Sequence, residues 1–288
     1  MQGNALIADL VPDSEVEGVY ACTKKQKLTA RSGSPYLAIE LRDSSGKIPA
    51  RAFRDASFLD AQFDRGDIVR VAGRVESFQD QRQINVRSIK RASETEVGDP
   101  GDYLPSAYRD VDELEGFFEH LAGEVHDPGY SVLLSRVLGD AELRRALRTA
   151  PCTIGGHHAY LGGLLEHTVA VATLARETQD LHRRLDSDLL LTAALLHDIG
   201  KTREFEYGAE ISQSQEGRLL GHLELGAQII REQIARAGGI DRERELSLLN
   251  CVLSHHGVPG GGTAFASAEA LALYRINALD ASVKGYLE

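Results

Sequence analysis

The chain has 288 residues, is 42% hydrophobic and 26% charged, and carries a formal net charge of -11. That length is generous for one compact domain and comfortable for two, and the composition is that of an ordinary globular protein. No apolar run approaches the roughly 18 residues of a membrane span, so no membrane partner is expected. The N-terminal stretch MQGNALIADLVPD has neither a basic n-region nor an apolar h-region, so a cytoplasmic protein is expected. Cys22, Cys152 and Cys251 are odd in number, far apart and outside any CxxC pattern. That spacing argues against a disulfide framework or zinc knuckle, and the three read as small core residues.

The charge is unevenly distributed. Residues 14–92 hold 15 Lys and Arg against 10 Asp and Glu, whereas residues 93–288 hold 17 against 31. A basic module is joined to an acidic one, which keeps a nucleic-acid partner open despite the net charge.

In the basic part, VEGVYACTKK predicts a strand, KLTARSGSP a turn-bearing connection and YLAIELRD a second strand. The turn SSG leads to KIPARAF. A short helical piece, DASFLDAQF, precedes the strands GDIVRVAGRVESF and RQINVRSIKRA, which are separated by the turn QDQ. Five strands with a helix between the third and fourth are the plan of an OB-fold, a small barrel that often binds oligonucleotides. Tyr36, Phe53 and Phe78 lie near Arg51, Arg74 and Arg82 in this region. Aromatic faces interleaved with cations suit single-stranded nucleic acid. Phe58 and Phe63, on the short helix, read as core.

Ser93–Asp110 is rich in acidic residues, Pro and Gly and lacks hydrophobic periodicity, so it reads as a linker. Every later segment has helical spacing. The expected organisation is therefore a small all-β OB-fold nucleic-acid-binding domain at 1–92, a linker at 93–110 and an all-α domain at 111–288.

Five of the later segments carry metal-type side chains. His167 opens TVAVATLA, His197-Asp198 end the apolar run 189–196, and His222 sits in GRLLGHLELGAQII. His255-His256 end LLNCVLSHHG, with Gly257 as a helix C-cap, and Asp280 closes EALALYRINALD. Singly, each reads as a satisfied core or surface residue; jointly they suggest a shared divalent-metal site. His167, His197, Asp198 and Asp280 can surround one metal, and His222, His255 and His256 a second, with Asp198 bridging. Such a pair suits in-line displacement at phosphorus. Lys201, a turn after His197, is placed to contact a phosphate oxygen, with a solvated helix-end lysine as the alternative. His157 and His158 lie in a Gly-rich loop before the first ligand, where they can meet phosphate or leaving group, or simply pack the loop. His120, His126 and His182 read as surface residues.

The stretches DYLPSAYRD, TAPCTIGGHHAYLGGLLEHT, ALLHDIGK, EGRLLGHLELG, LSHHG and EALALYRINALDA resemble the HD-domain metal-dependent phosphohydrolases and, more closely, the YhaM-type 3′→5′ exoribonucleases. The resemblance spans nearly the whole chain. It implies an N-terminal OB domain that holds single-stranded nucleic acid, RNA before DNA. It also implies a C-terminal HD domain that cuts the strand from the 3′ end to mononucleotides. Two divalent ions are implied, manganese first, with iron, cobalt or magnesium as alternatives. His167, His197, Asp198 and Asp280 match the HD ligand set, and His222, His255 and His256 the added histidines of two-metal members. Asp198, Lys201, His157 and His158 are the candidate catalytic groups. Two positions depart from the pattern: Tyr274 and Asn277 stand where His and Asp are expected. The chain ends at Glu288, so any C-terminal tail is expected to be short or absent, and homo-oligomer formation stays open. The alternatives are an HD phosphodiesterase acting on a cyclic dinucleotide or other small nucleotide, and a nucleic-acid-binding module whose HD domain is structural.

Overall fold

In a computed structural model of the chain, which describes residues 5–288, two compact units are distinguished. One runs to Ser106 and includes Tyr207–Ile211; the other comprises Ala107–Glu206 and Ser212–Glu288. Residues 1–4 of the expected N-terminal domain lie outside the described residues.

The first unit contains β1 (Glu15–Thr29), β2 (Pro35–Asp43), β3 (Gly46–Ala52), the short helix α1 (Ala56–Asp60), β4 (Ile68–Phe78) and β5 (Gln81–Arg91). They close a barrel in the order β1-β2-β3-β5-β4, as the strand pattern predicts for an OB-fold. Alternation sets the inside: Leu37, Ile39 and Leu41 of β2 are buried while their neighbours are not. The first strand extends beyond its apolar run to Thr29, because pairing with β2 continues as far as Thr29 with Pro35. The QDQ turn is tight, with Gln79 and Asp80 both at positive φ, the geometry that matches the twist of a two-residue hairpin.

Two expectations change here. Phe58, read as core, is 67% exposed, because a five-residue helix buries only one side, taken by Ala56 and Leu59. Phe63 is buried, beneath the Lys25 ammonium. The segment read as a linker is divided, with residues up to Ser106 counted in the first unit. Tyr103 and Leu104 are buried there and Glu96 pairs with Arg70 at 2.6 Å.

The second unit contains α2 (Val111–Gly123), α3 (Pro128–Gly139), α4 (Ala141–Thr149), α5 (Gly163–Leu181), α6 (Ser187–Leu196) and α7 (Lys201–Glu204). After these come a hairpin of β6 (Phe205–Tyr207) and β7 (Ile211–Gln213), whose residues Tyr207–Ile211 are counted in the first unit, then α8 (Gln215–Ala237), α9 (Arg242–Ser254) and α10 (Ala268–Leu287). The unit is helical, as the spacing predicts, and the two three-residue strands are an addition to it; neither is long enough to show a period of two. Side-chain caps start most of the helices: Asp110, Asp127, Asp140, Asp186, Ser214, Asp241 and Ser267 each accept backbone N–H bonds. Part of the acidic charge of this half is therefore spent on helix starts. Leu189–Leu196 of α6 are all buried, so this helix is the centre of the core.

Candidate metal centre

The central pair does not lie inside a helix. His197 follows the last residue of α6, and residues 197–200 turn the chain into α7. The turn packs tightly on α8: a Cβ at Gly200 would lie 2.0 Å from the His222 carbonyl oxygen and 2.5 Å from the Gly226 nitrogen. Glycine is thus required for His222 to approach Asp198. Gly221, at φ 69° and ψ 162°, breaks α8 just before His222 and sets where that ring points.

The two oxygens of Asp198 face different histidines. Oδ2 lies 3.5 Å from His167 Nε2 and 3.4 Å from His197 Nε2. Oδ1 lies 3.4 Å from His255 Nε2 and 3.7 Å from His222 Nε2, and His222 Nε2 is 2.9 Å from His256 Nε2. The far nitrogens are held by acceptors. His197 Nδ1 donates to Ala194 O at 2.8 Å and His255 Nδ1 to Val252 O at 2.6 Å. His167 Nδ1 lies 2.6 Å from Asp280 Oδ2, and His222 Nδ1 lies 3.3 Å from Glu204 Oε2. Carbonyl and carboxylate oxygens only accept, so each neutral ring keeps its proton on Nδ1 and turns the Nε2 lone pair inward.

Electrostatics agree with that assignment. Burial holds His197 and His255 below the ordinary imidazole value, and it takes His256 down to about 3. Burial by itself would raise the Asp198 carboxyl, but the Lys201 ammonium and His197 keep it well below the usual carboxylate range. Asp198 Oδ1 and His255 Nε2 are buried and make no hydrogen bond, a cost a protein does not carry without return. Bare nitrogen lone pairs around one carboxylate are what a divalent cation binds, so these residues fit a metal.

Asp198, His222, His255 and His256 form one candidate ligand group; Cys152, His167 and Asp198 a second; His158, His167 and Asp280 a third. Asp280 is placed differently from the other expected ligands, with its Oδ2 between His167 Nδ1 and, at 3.2 Å, His158 Nε2. Lys201, which is buried, lies 2.6 Å from Asp198 Oδ2 and 3.3 Å from Cys152 Sγ. A cavity of about 590 Å³ opens on the centre, lined among others by His157, Lys201, His222, His255, His256 and Asn277.

The structure separates His157 from His158. His157 lines the cavity; His158 is 2% exposed and spends its ring on Asp280 and Tyr160, whose hydroxyl donates to Glu166 at 2.7 Å. The sequence reading missed Cys152, Tyr160, Glu166, Glu204 and Asn277. Only the last stood out in the sequence, as a departure from the family pattern. His120, His126 and His182 are exposed as expected.

In the barrel, Tyr36 and Phe53 stack with centroids 5.5 Å apart, and the Arg51 guanidinium stands over Tyr36 at 5.7 Å and Phe78 at 5.9 Å. Phe53 and Phe78 are half exposed. Arg74 and Arg82 are engaged elsewhere: Arg74 pairs with Asp13 at 3.3 Å, and Arg82 donates to the carbonyl oxygens of Ala8 and Leu10. Four of the six expected binding residues are thus gathered, and two serve the N-terminal segment.

A helical unit with paired histidine sets about one aspartate, in a chain that also holds an OB barrel, defines the HD-domain hydrolase class. Family models agree: residues 164–282 match the HD domain and residues 21–92 the OB-fold nucleic acid binding domain. The chain is 30% identical over 259 residues to the 3′-5′ exoribonuclease YhaM of Bacillus licheniformis, a match covering 88% of this chain and 81% of that protein. The chain belongs to the YhaM family of 3′-5′ exoribonucleases. Among solved structures, it is similar to the second OB-fold domain of replication protein A from Methanococcus maripaludis at 21% identity, covering 32% of this chain and 97% of that one with a TM-score of 0.27. A small single-stranded DNA-binding protein from Streptomyces coelicolor matches at 16% identity, covering 31% and 100%, also with a TM-score of 0.27. Among the described residues, no helix is long and apolar enough to cross a membrane.

Proposed function

We propose that the protein is a metal-dependent 3′→5′ exonuclease that hydrolyses single-stranded RNA to mononucleotides, using two divalent ions with manganese preferred. The observation that carries this reading is the convergence of Nε2 lone pairs on both oxygens of Asp198. When bound, divalent ions supply a water of lowered pKa and offset the charge of the phosphodiester.

The chain's own residues do the rest. Asp198 ties the two histidine sets together, and the acceptors on Nδ1 keep the rings oriented before substrate arrives. Lys201 holds its ammonium against Asp198 Oδ2 at the cavity wall, where it can meet a phosphate oxygen. His157 faces the same cavity and is held below the ordinary imidazole value by burial first and then by its neighbour His167. It enters as a neutral group able to accept a proton or a hydrogen bond. The Tyr36–Phe53 stack, with Arg51 beside it, offers base faces and a cation to a single strand.

The test is a time course on 5′-labelled single-stranded RNA with manganese, beside the same strand blocked at its 3′ end. A shortening ladder that the block prevents is the expected result. Intact strands with metal demonstrably bound would shift the substrate to a small nucleotide.

A further inference from the structure

Around Asp198 Oδ2 stand His167 Nε2 and His197 Nε2, with Cys152 Sγ at 3.9 Å. Asp280 does not join that group. The Asp280 carboxylate lies on the far side of the His167 ring, against Nδ1 at 2.6 Å, and also meets His158 Nε2 at 3.2 Å. The side chain on the inner side is Asn277, 5% exposed, whose Oδ1 is 3.0 Å from His167 Nε2.

The orientation of that amide is fixed. Asn277 Nδ2 donates to the carbonyl oxygen of His255 at 3.4 Å, and an oxygen in its place would face another acceptor. Oδ1 must therefore point inward. His167 Nδ1 faces a carboxylate that only accepts, so the tautomer with its proton on Nδ1 sets the Nε2 lone pair against Oδ1. His197 Nε2, 3.2 Å from His167 Nε2, is bare for the same reason. Asn277 Oδ1, His197 Nε2 and Asp198 Oδ2 thus gather within 3.5 Å of His167 Nε2, with the Lys201 ammonium 2.6 Å from the same Oδ2.

We infer that Asn277 Oδ1 is a ligand of the His167–His197–Asp198 position, and that Asp280 is a positioning residue that fixes the His167 ring. The inference rests on the metal-centre reading above and deepens it. Asp198 is then the one carboxylate shared by both positions, and every other protein ligand is neutral. A nitrogen-rich set of that kind suits a first-row transition ion such as iron better than magnesium. It also leaves the paired site more cationic towards a phosphodiester than a second carboxylate ligand would.

The experiment is manganese binding to the metal-stripped full chain, read from the paramagnetic resonance of free aqueous Mn²⁺, so no activity is needed. Asn277→Leu should weaken one bound equivalent by about tenfold or more. Asn277→Asp, of the same shape, should tighten that equivalent by about tenfold, the effect of ~1.4 kcal/mol, and keeps the test alive if the leucine variant misfolds. Asp280→Asn retains an acceptor for His167 Nδ1 and should bind like the parent, whereas Asp280→Leu should bind more weakly. Loss of an equivalent in Asp280→Asn, or parental binding in both Asn277 variants, overturns the inference and leaves the metal centre standing. Absence of manganese uptake by the parent chain overturns the metal centre itself, and the inference with it.

Discussion

Asp198 Oδ1 and His255 Nε2 face each other across 3.4 Å, both buried and neither hydrogen-bonded. Two orphaned acceptors cost free energy on folding, and a cation between the donor groups offsets that cost. Manganese should therefore raise the melting temperature of the metal-stripped protein. At a concentration of about 100 times Kd the gain is ~2.7 kcal/mol. Asp198→Asn should remove most of that gain and lower hydrolysis by about 10³-fold or more, while leaving single-strand binding by the barrel in place. Loss of strand binding in step with activity would contradict this division of labour.

Lys201 provides a complementary check. Its ammonium and the Asp198 carboxylate form a buried pair at 2.6 Å, and removing one partner strands the other charge. Lys201→Met should destabilise the metal-free protein by about 3–5 kcal/mol. Saturating manganese should recover part of that loss, because the cation then faces the carboxylate. Calorimetry with and without metal gives both values; an equal deficit in the two conditions would argue against a metal at Asp198 Oδ2.

Gly200→Ala tests the close approach of the 197–200 turn to α8. The added Cβ would press on backbone, at 2.0 Å from the His222 carbonyl oxygen, and backbone yields little. A loss of about 1–3 kcal/mol in chemical denaturation is expected, together with weakened metal binding through displacement of His222. Unchanged metal affinity would mean that the turn does not position that ring.

On the barrel, Tyr36→Ala and Phe53→Ala should each cost about 1–3 kcal/mol in single-strand affinity by fluorescence anisotropy. Phe58→Ala is the control: that ring is exposed, but lies beside Glu17, Arg70 and Lys90 in a separate pocket. Equal losses from Phe58 and Phe53 would remove the stacked pair from the binding role.

Glu115 accepts from Arg144 Nε at 2.6 Å and pairs with Arg148. The hydrogen bond from Arg144, set against burial, holds its carboxyl below the ordinary 4.5. A depressed acid stabilises the fold above its unfolded value, and the contribution disappears as pH falls from about 4.5 through the folded value. Glu115→Gln should thus lower stability by about 1.5–3 kcal/mol at pH 7, as for a hydrogen bond to a charged group. The difference from the parent should close as pH falls below about 4.5. A deficit that is constant with pH would assign the effect to packing instead.

The elements were largely legible because local rules write them into the chain. The alternation of Leu37, Ile39 and Leu41 marks a half-buried strand, and Asp110, Asp186 and Asp241 mark helix starts. Phe58 was misread because sequence says that a residue is apolar but not which side of a five-residue helix meets the core. The three-residue strands of the 205–213 hairpin were invisible for want of length.

The order His167, His197-Asp198, His222, His255-His256 was enough, by itself, to mark a metal centre: imidazole and carboxylate groups recur on apolar helices, where each needs a partner. What tertiary structure alone decided is which atom each group presents. The Nδ1 partners that turn the Nε2 lone pairs inward come from the Ala194 and Val252 carbonyls, Glu204 and Asp280. The last of these, an expected ligand, stands behind His167, while Asn277, one helical turn earlier, faces inward. Residues 277 and 280 share a face of α10 at a spacing of three. A one-dimensional pattern therefore puts both beside the same histidine, and only the packing of α10 against α5 and α9 assigns one to each side of the ring.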